Sequence, residues 1–509
     1  MKRLLNRIFS RMVMTCLLVA LQLSVMIIGI IGLGYYYLYV SAALSVLSFI
    51  VVIYLITKDT NPDVKLAWIV PILVFPILGG LMYVLYGHVL VPKRLKRNML
   101  KVRQQENYED IYGQNKCDAN ELAEEDAYRL FKYVEKYGKT PVYKNTAVKY
   151  YAMGDDAWPD MLADLRAAEN YIFMEYFIIN HGEMWESVLD ILKQKAAEGL
   201  DVRLMYDDIG SIFNVSKYYW RELESYGIKC IVFNQVVPFL ATIFNNRDHR
   251  KITVIDGKIA YTGGFNLADE YINKVTLHGV WKDAGVRLIG DGAWSFTVMF
   301  LQMWNSVRYV EGSYVNYRPQ IDMTGYSDGY VQPYRTGPLS KEVVGESIYI
   351  QMINDAKDYV YIFTPYLIVT NELMLAMKLS AKRGVDIRIV TPAIPDKKLI
   401  FRMTTTSYRP LIEAGVRIYQ YTPGFIHSKC LLVDDKLASV GSINMDNRSF
   451  YHHFECGTLI YKSKAIYEIK KDMLDTFAIS EEINSDWCRK NLSRMTFIDA
   501  ILRLISPLL

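Results

Sequence analysis

The chain has 509 residues, room for two or three domains of ~100–200 residues each, and its 58 Lys and Arg against 54 Asp and Glu leave a formal net charge of only +4. That balance lacks the strongly basic footprint of a nucleic-acid binder. Six scattered cysteines without a CxxC pair exclude a zinc ribbon or a disulfide framework and fit reduced thiols.

The hydrophobic fraction, 51%, is concentrated at the N-terminus, where no charged residue occurs between Arg11 and Lys58. That run is too long for one membrane helix of ~20 residues. It divides into expected spans at about 12–33 and 36–57, with a break at Gly32-Leu33-Gly34 and Tyr35-Tyr36-Tyr37 at an interface. A cleaved signal peptide is disfavoured by the length of the run and by the lack of a small-x-small site. A third apolar stretch, about 66–88, contains Pro71, Pro76, Gly79 and Gly80 and reads as a kinked span or a re-entrant hairpin. Basic clusters at Lys2, Arg3, Arg7, Arg11 and at Lys93, Arg94, Lys96, Arg97, Arg103 bracket the region. Residues 1–97 are therefore expected to be a multi-pass anchor in the cell membrane, the second cluster facing anionic headgroups.

Residues 98–138 are polar and read as a linker. From about 139 the pattern becomes short β-branched and aromatic runs alternating with amphipathic helices, the signature of an α/β fold, expected as two domains over 139–320 and 335–509. Gly138-Lys139-Thr140 is not a P-loop, because Tyr133 stands where its first glycine would be. No nucleotide or other cofactor is expected.

The two domains carry an internal repeat. Tyr171–Tyr176, a helix over 184–198 and the strand opened by Gly199-Leu-Asp-Val-Arg correspond to Tyr359–Tyr366, a helix over 372–383 and the strand opened by Gly384-Val-Asp-Ile-Arg. A second Gly-led strand follows at Gly227 and at Gly415, and then His-x-Lys. His249 and His427 stand 178 residues apart, so the unit is a whole domain.

The repeated motifs are His249-Arg-Lys251-x4-Asp256 and His427-Ser-Lys429-x4-Asp434, followed by Gly263-Gly264-Phe265-Asn266 and Gly441-Ser442-Ile443-Asn444. Residues 252–255 and 430–433 read as strands, and Asp256-Gly257 as a tight turn. His and Lys at i and i+2 share a strand face. The returning strand adds Asn and small residues that admit a phosphate to backbone N–H groups. Such a set suits phosphoryl transfer. Lys251 and Lys429 neutralise non-bridging oxygens, Asn266, Asn444 and Ser442 donate hydrogen bonds, and one imidazole is nucleophile while the other is general acid. Each imidazole needs an orienting carboxylate, for which Asp283 and Glu455 are the candidates. Asp256 and Asp434 are counted as motif members, with turn geometry as the competing role. The adjacent His452 and His453 point to opposite strand faces, so no metal site is expected.

The paired motifs resemble the HKD signature of the phospholipase D superfamily, and their arrangement is similar to that of bacterial cardiolipin synthases. The resemblance extends to Asp207-Asp208-Ile-Gly-Ser211, Asn245–Lys251, Thr364-Pro-Tyr366, Asp446-Asn-Arg-Ser-Phe450 and Ser506-Pro-Leu-Leu509, and covers the chain from about residue 40 onward. It implies two pseudo-twofold-related α/β/α domains after a transmembrane region, and a metal-independent, two-step exchange. In that exchange His249 attacks one phosphatidylglycerol and His427 protonates departing glycerol. A hydroxyl of a second phosphatidylglycerol then takes the phosphatidyl group, giving cardiolipin. The implied partners are phosphatidylglycerol and membrane lipid, without nucleic acid or metal. Two positions depart from the pattern: Gly264 where Ser is usual, and His453 where Asn is usual. A hydrolase with the same site, a nuclease and a non-catalytic scaffold are the rival readings. The complete motifs oppose the scaffold and the modest charge opposes the nuclease.

Overall fold

A computed structural model describes residue 24 and residues 36–58, 61–87, 91–113, 116–122, 125–235, 246–308, 314–319, 322–340, 342–491 and 497–506. The chain separates into two compact units. One comprises residues 1–91, 236–246 and 496–509, the other residues 92–235 and 247–495.

The first unit is helical. Helix α1 (Tyr36–Thr57) coincides with the second expected span; the first, 12–33, lies outside the described residues apart from residue 24. Among the described residues no helix is long and apolar enough to cross a membrane. The third apolar stretch is not one continuous helix but two, α2 (Pro62–Val74) and α3 (Pro76–Tyr86). Pro76 disfavours helical geometry at Phe75, which takes φ −131° and ψ 78°. The chain folds back so tightly there that a Cβ on Gly79 would stand 2.4 Å from the Pro71 carbonyl oxygen. Val52, Leu55, Trp68, Ile72 and Tyr83 form the small core shared by the three helices.

The second unit opens with α4 (Lys93–Gln105), which straddles the expected boundary between the anchor, 1–97, and the polar linker, 98–138. Leu95, Met99 and Val102 recur at helical spacing and are buried. Further along, Leu122, Leu130 and Phe131 enter the main core. The linker expectation is corrected: the segment is folded, its apolar stripe hidden among basic residues.

The first half-domain contributes β1 (Thr146–Tyr151), β2 (Tyr171–Tyr176), β3 (Asp201–Asp207), β4 (Lys229–Phe233), β5 (Lys251–Ile255), β6 (Ile259–Gly263), the short β7 (Val280–Lys282) and β8 (Gly285–Gly290). The second contributes β9 (Tyr330–Thr336), β10 (Tyr359–Phe363), β11 (Leu367–Ile368), β12 (Asp386–Pro392), β13 (Arg417–Tyr421), β14 (Gly424–Ile426), β15 (Cys430–Val433), β16 (Leu437–Gly441), β17 (Met445–Asp446), β18 (Glu455–Tyr461) and β19 (Ser480–Ile483). The sheet orders are β1-β8-β6-β5-β2-β3-β4 and β9-β18-β16-β15-β10-β12-β13-β19. Both sheets are antiparallel as far as β2 or β10 and parallel through the next two strands. The duplication seen in sequence is thus a duplicated topology, with β19 added at one edge. Helices α5 (Glu183–Ala197) and α6 (Asn371–Lys382) are the repeated crossovers. The two halves form a single compact unit. The second half ends before residue 496, because the C-terminal helix α7 (Phe497–Ile505) groups with the first unit and contacts α2.

Candidate active site

Each histidine lies immediately before the central strand of its sheet, His249 before β5 and His427 before β15, and both are buried. Each lead-in pairs with backbone of the other half. The His249 N–H donates to the Phe454 carbonyl at 2.9 Å, and the His427 N–H to the Lys282 carbonyl at 2.7 Å. Around the second contact β14 pairs in parallel with β7. Around the first, Asp248 and Phe454 form an isolated parallel bridge.

Phe454 and Lys282 each precede a carboxylate, and the register carries that carboxylate to the opposite histidine. His249 Nδ1 is 2.9 Å from both Glu455 carboxylate oxygens. His427 Nδ1 is 2.6 Å from Asp283 Oδ2. Both expected carboxylates therefore contact a histidine, each that of the other half. A carboxylate accepts, so Nδ1 carries the proton and Nε2 presents its lone pair. Phe177 packs edge-on to His249 at 4.9 Å between ring centroids, while Tyr271 and Trp281 flank His427 at 5.6 and 5.5 Å.

The lysines follow inside the same site, each 1% exposed. Lys251 Nζ donates to the His249 carbonyl at 2.6 Å, and Lys429 Nζ to the His427 carbonyl. Burial depresses Lys251 to about 8 and Lys429 to about 7, against the pull of Glu455 and Asp283. Burial, then Lys251 and Lys429, holds His249 well below its usual range. His427 falls to about 4 through burial and Lys429, Asp283 opposing. Two neutral imidazoles beside two ammonium groups of weakened hydration make a site prepared for an anion.

Asp256 and Asp434 are not directed to the histidines, and their expected catalytic role is corrected. Asp256 accepts from the N–H groups of Glu169, Asn170 and Tyr171 at 2.9, 2.7 and 2.9 Å. Asp434 accepts from Lys357, Asp358 and Tyr359 at 2.7, 2.9 and 2.8 Å. Both sit at positive φ, 52° and 50°, followed by Gly257 at 68° and Asp435 at 55°. Each therefore starts a type I′ turn within a three-residue hairpin connection and ties it to the entry of β2 or β10.

Asn266 spends its Oδ1 on the Ile178 N–H at 3.0 Å and one Nδ2 hydrogen on the Tyr271 hydroxyl at 2.7 Å, leaving one hydrogen for a ligand. Asn444 is buried, its Oδ1 without a hydrogen-bond partner among the described residues. Ser442 Oγ donates to Glu455 Oε2 at 2.5 Å and accepts from the Cys456 N–H at 3.1 Å, so it orients the carboxylate. The unusual glycine at 264 has a physical reason: a Cβ there would lie 2.0 Å from Asp283 Oδ1.

Sequence reasoning missed the buried charges behind His249. Arg250 Nη1 contacts Glu175 Oε1 at 3.4 Å, while Asp207 accepts from the Asp248 N–H at 3.0 Å and from Arg247 Nη1 at 3.3 Å. Burial raises Asp207 to about 7, Arg247 opposing. The available signal was a lone Glu in the otherwise apolar run Tyr171–Tyr176. Ser449, which donates to Glu455 Oε1 at 2.8 Å, was also missed.

Residues 161–276 and 349–476 match the cardiolipin synthase, PLD-like domain, and residues 44–87 match the phospholipase D-nuclease N-terminal family. A cardiolipin synthase of Alkalihalophilus pseudofirmus is 33% identical over 459 residues, 89% of this chain and 90% of the relative. An uncharacterised protein of Streptococcus mutans is 41% identical over 464 residues, 90% of this chain and 99% of the relative. The crystal structure of phosphatidylserine synthase from Haemophilus influenzae aligns with a TM-score of 0.54 at 15% identity, over 74% of this chain and 99% of that one, a likeness of fold. The chain belongs to the bacterial cardiolipin synthase family of the phospholipase D superfamily.

Proposed function

We propose that the chain is a membrane-anchored phosphatidyltransferase that converts two phosphatidylglycerol molecules into cardiolipin and glycerol. The observation that carries this reading is the pair of crossed contacts, His249–Glu455 and His427–Asp283, which brings two oriented imidazoles and two lysines into one buried site.

His249 Nε2 attacks the phosphorus of the first phosphatidylglycerol, and Glu455, still hydrogen-bonded by Nδ1–H, offsets the positive charge of the imidazolium that forms. His427, protonated in the substrate complex, gives its Nε2 proton to glycerol as the P–O bond breaks. Lys251 and Lys429 bear the non-bridging oxygens, assisted by Asn444 and the remaining hydrogen of Asn266. A hydroxyl of the second phosphatidylglycerol then loses its proton to His427 and displaces His249. One phosphodiester is exchanged for another, so the step needs no nucleotide. The nucleophile is assigned to the first motif by analogy with the superfamily; burial and the neighbouring lysines keep His249 neutral, as a nucleophile must be.

Residues up to 91 form the membrane anchor in this reading, the catalytic halves following it. Support comes from the uncharged α1, whose Val46, Leu47, Phe49 and Ile50 are exposed as an apolar surface needing a lipid or protein cover. The basic run Lys93–Arg97 then meets anionic headgroups.

The test is to incubate purified protein in detergent–lipid micelles with phosphatidylglycerol and EDTA, following lipid products and free glycerol. Cardiolipin with an equal amount of glycerol is expected, abolished by His427→Ala. Phosphatidic acid alone would make water the acceptor and the protein a phospholipase D-type hydrolase.

A further inference from the structure

The residue two positions before Glu455 is a third imidazole. His453 is 7% exposed, and neither of its ring nitrogens has a hydrogen-bond partner among the described residues. Its Nδ1 stands 3.7 Å from Glu455 Oε1, and its ring centroid 5.4 Å from that of His249. A buried, unpaired imidazole costs free energy unless something occupies its lone pair. One ligand atom each from His249, His453 and Glu455 lies within 4.8 Å of the others. The phosphoryl exchange needs no such trio, since His249 and Glu455 complete their own contact.

We propose that His249, His453 and Glu455 form a binding site for a divalent transition-metal ion of the zinc class, and that filling it switches the transfer reaction off. Two imidazole nitrogens and one carboxylate oxygen, with a fourth position open, suit Zn²⁺ or Co²⁺; Mg²⁺ and Ca²⁺ favour oxygen donors. Closing the trio onto an ion with bonds of ~2.0–2.2 Å takes a small inward movement of side chains. Lys251 and Lys429 oppose a cation there, and the carboxylates of Glu455, Asp283 and Asp446 offset them.

The inhibitory half rests on His249 being the nucleophile; the site itself does not. In the active form Nδ1 carries the proton and Nε2 the lone pair. A metal bound to Nδ1 requires the other tautomer, so the proton moves to Nε2 and the attacking lone pair is lost. No electrons are transferred, and removing the metal restores the first tautomer. Asparagine, the residue the family resemblance sets at 453, supplies no imidazole, so the switch belongs to chains with His at this position.

The test uses the full chain in detergent micelles, stripped of metal and titrated with Co²⁺. One equivalent is expected to bind with the visible absorption of a four-coordinate nitrogen–oxygen site, and Zn²⁺ to displace it. His453→Asn should weaken binding by at least ~10-fold and raise, by a similar factor, the Zn²⁺ needed to suppress cardiolipin formation. No stoichiometric binding, or equal binding by His453→Asn, overturns the proposal. For a variant that fails to fold, paramagnetically shifted proton resonances of the wild-type Co²⁺ complex carry the test. Two histidine rings are expected; one or none overturns it. Metal that binds through His453 yet leaves transfer untouched overturns the inhibitory half and places His249 away from the attack, while the site stands.

Discussion

The two half-sites descend from one topology but hold their carboxylates differently. Glu455 accepts from His249, Ser442 and Ser449. Asp283 meets His427 through Oδ2, and its Oδ1 has no hydrogen-bond partner among the described residues. Behind His249, Arg250 meets Glu175; the positions matching these in the second half are Ser428 and Phe363. Glutamate reaches one carbon further and is clamped by hydroxyls. Aspartate stays close to its backbone, and the wall opposite is cut back to Gly264. The scaffold is repeated, while the two imidazoles have unequal surroundings.

The comparison breaks first at the histidines. His249→Ala and His427→Ala should each lower transfer by at least ~10³-fold, because members of one catalytic unit fail together. With labelled phosphatidylglycerol, His427→Asn should accumulate label on His249; label appearing on His427 in a His249→Asn protein would reverse the roles. The carboxylates come next. Glu455→Gln and Asp283→Asn should each cost about 10²–10³-fold in kcat. The loss should be larger for Glu455→Gln, because a serine donates to each carboxylate oxygen and the new NH2 group must face one of them; equal losses would show that the serine clamp is unimportant.

The lysines set the pH dependence. In the free enzyme Lys429 titrates at about 7 and Lys251 at about 8, and the charged forms are lost as pH rises. A kcat/KM profile should therefore fall above about 7, with the limb in kcat displaced upward because bound phosphodiester favours the ammonium forms. Stability moves the other way. Between the folded values and the ordinary 10.5 the unfolded chain binds more protons, so these lysines make the fold more stable as pH rises. Denaturant titrations across that window check the sign.

Smaller effects test the carved wall. Gly264→Ser should displace Asp283 and destabilise the protein by about 1–3 kcal/mol, the usual cost of overpacking. Ser442→Ala removes one bond to a carboxylate and should cost about 1.5–3 kcal/mol in stability, read by thermal unfolding, while sparing His427. Asp256→Asn and Asp434→Asn should lower stability by about 1–3 kcal/mol each and leave turnover per folded molecule unchanged. A fall in turnover would return them to the catalytic set.

Much of this was legible before any coordinates. β2 and β15 run over the residues expected of them, and the crossover helices begin and end within one residue of expectation, because burial on both faces of a central strand and the 3.6-residue period leave local signatures. The Asp256-Gly257 turn was readable because type I′ geometry demands residues tolerant of positive φ. The histidines, lysines and both orienting carboxylates were also named from spacing and chemistry.

What the tertiary structure alone decided depends on contacts far apart in sequence. The crossing of Glu455 to His249 spans 206 residues and that of Asp283 to His427 spans 144, so no local pattern carries them. The sequence could not choose between chemistry and turn geometry for Asp256 and Asp434, because a carboxylate reads the same in either role until its donors are placed. The helix over Lys93–Gln105 was masked by its basic face, and the hinge at Phe75 by uniform apolarity. The rule that adjacent strand residues face opposite ways speaks against His452 and His453 as a pair of ligands. That rule holds within a strand, but His453 precedes β18, where the chain is irregular and packing against the other half decides where a ring points.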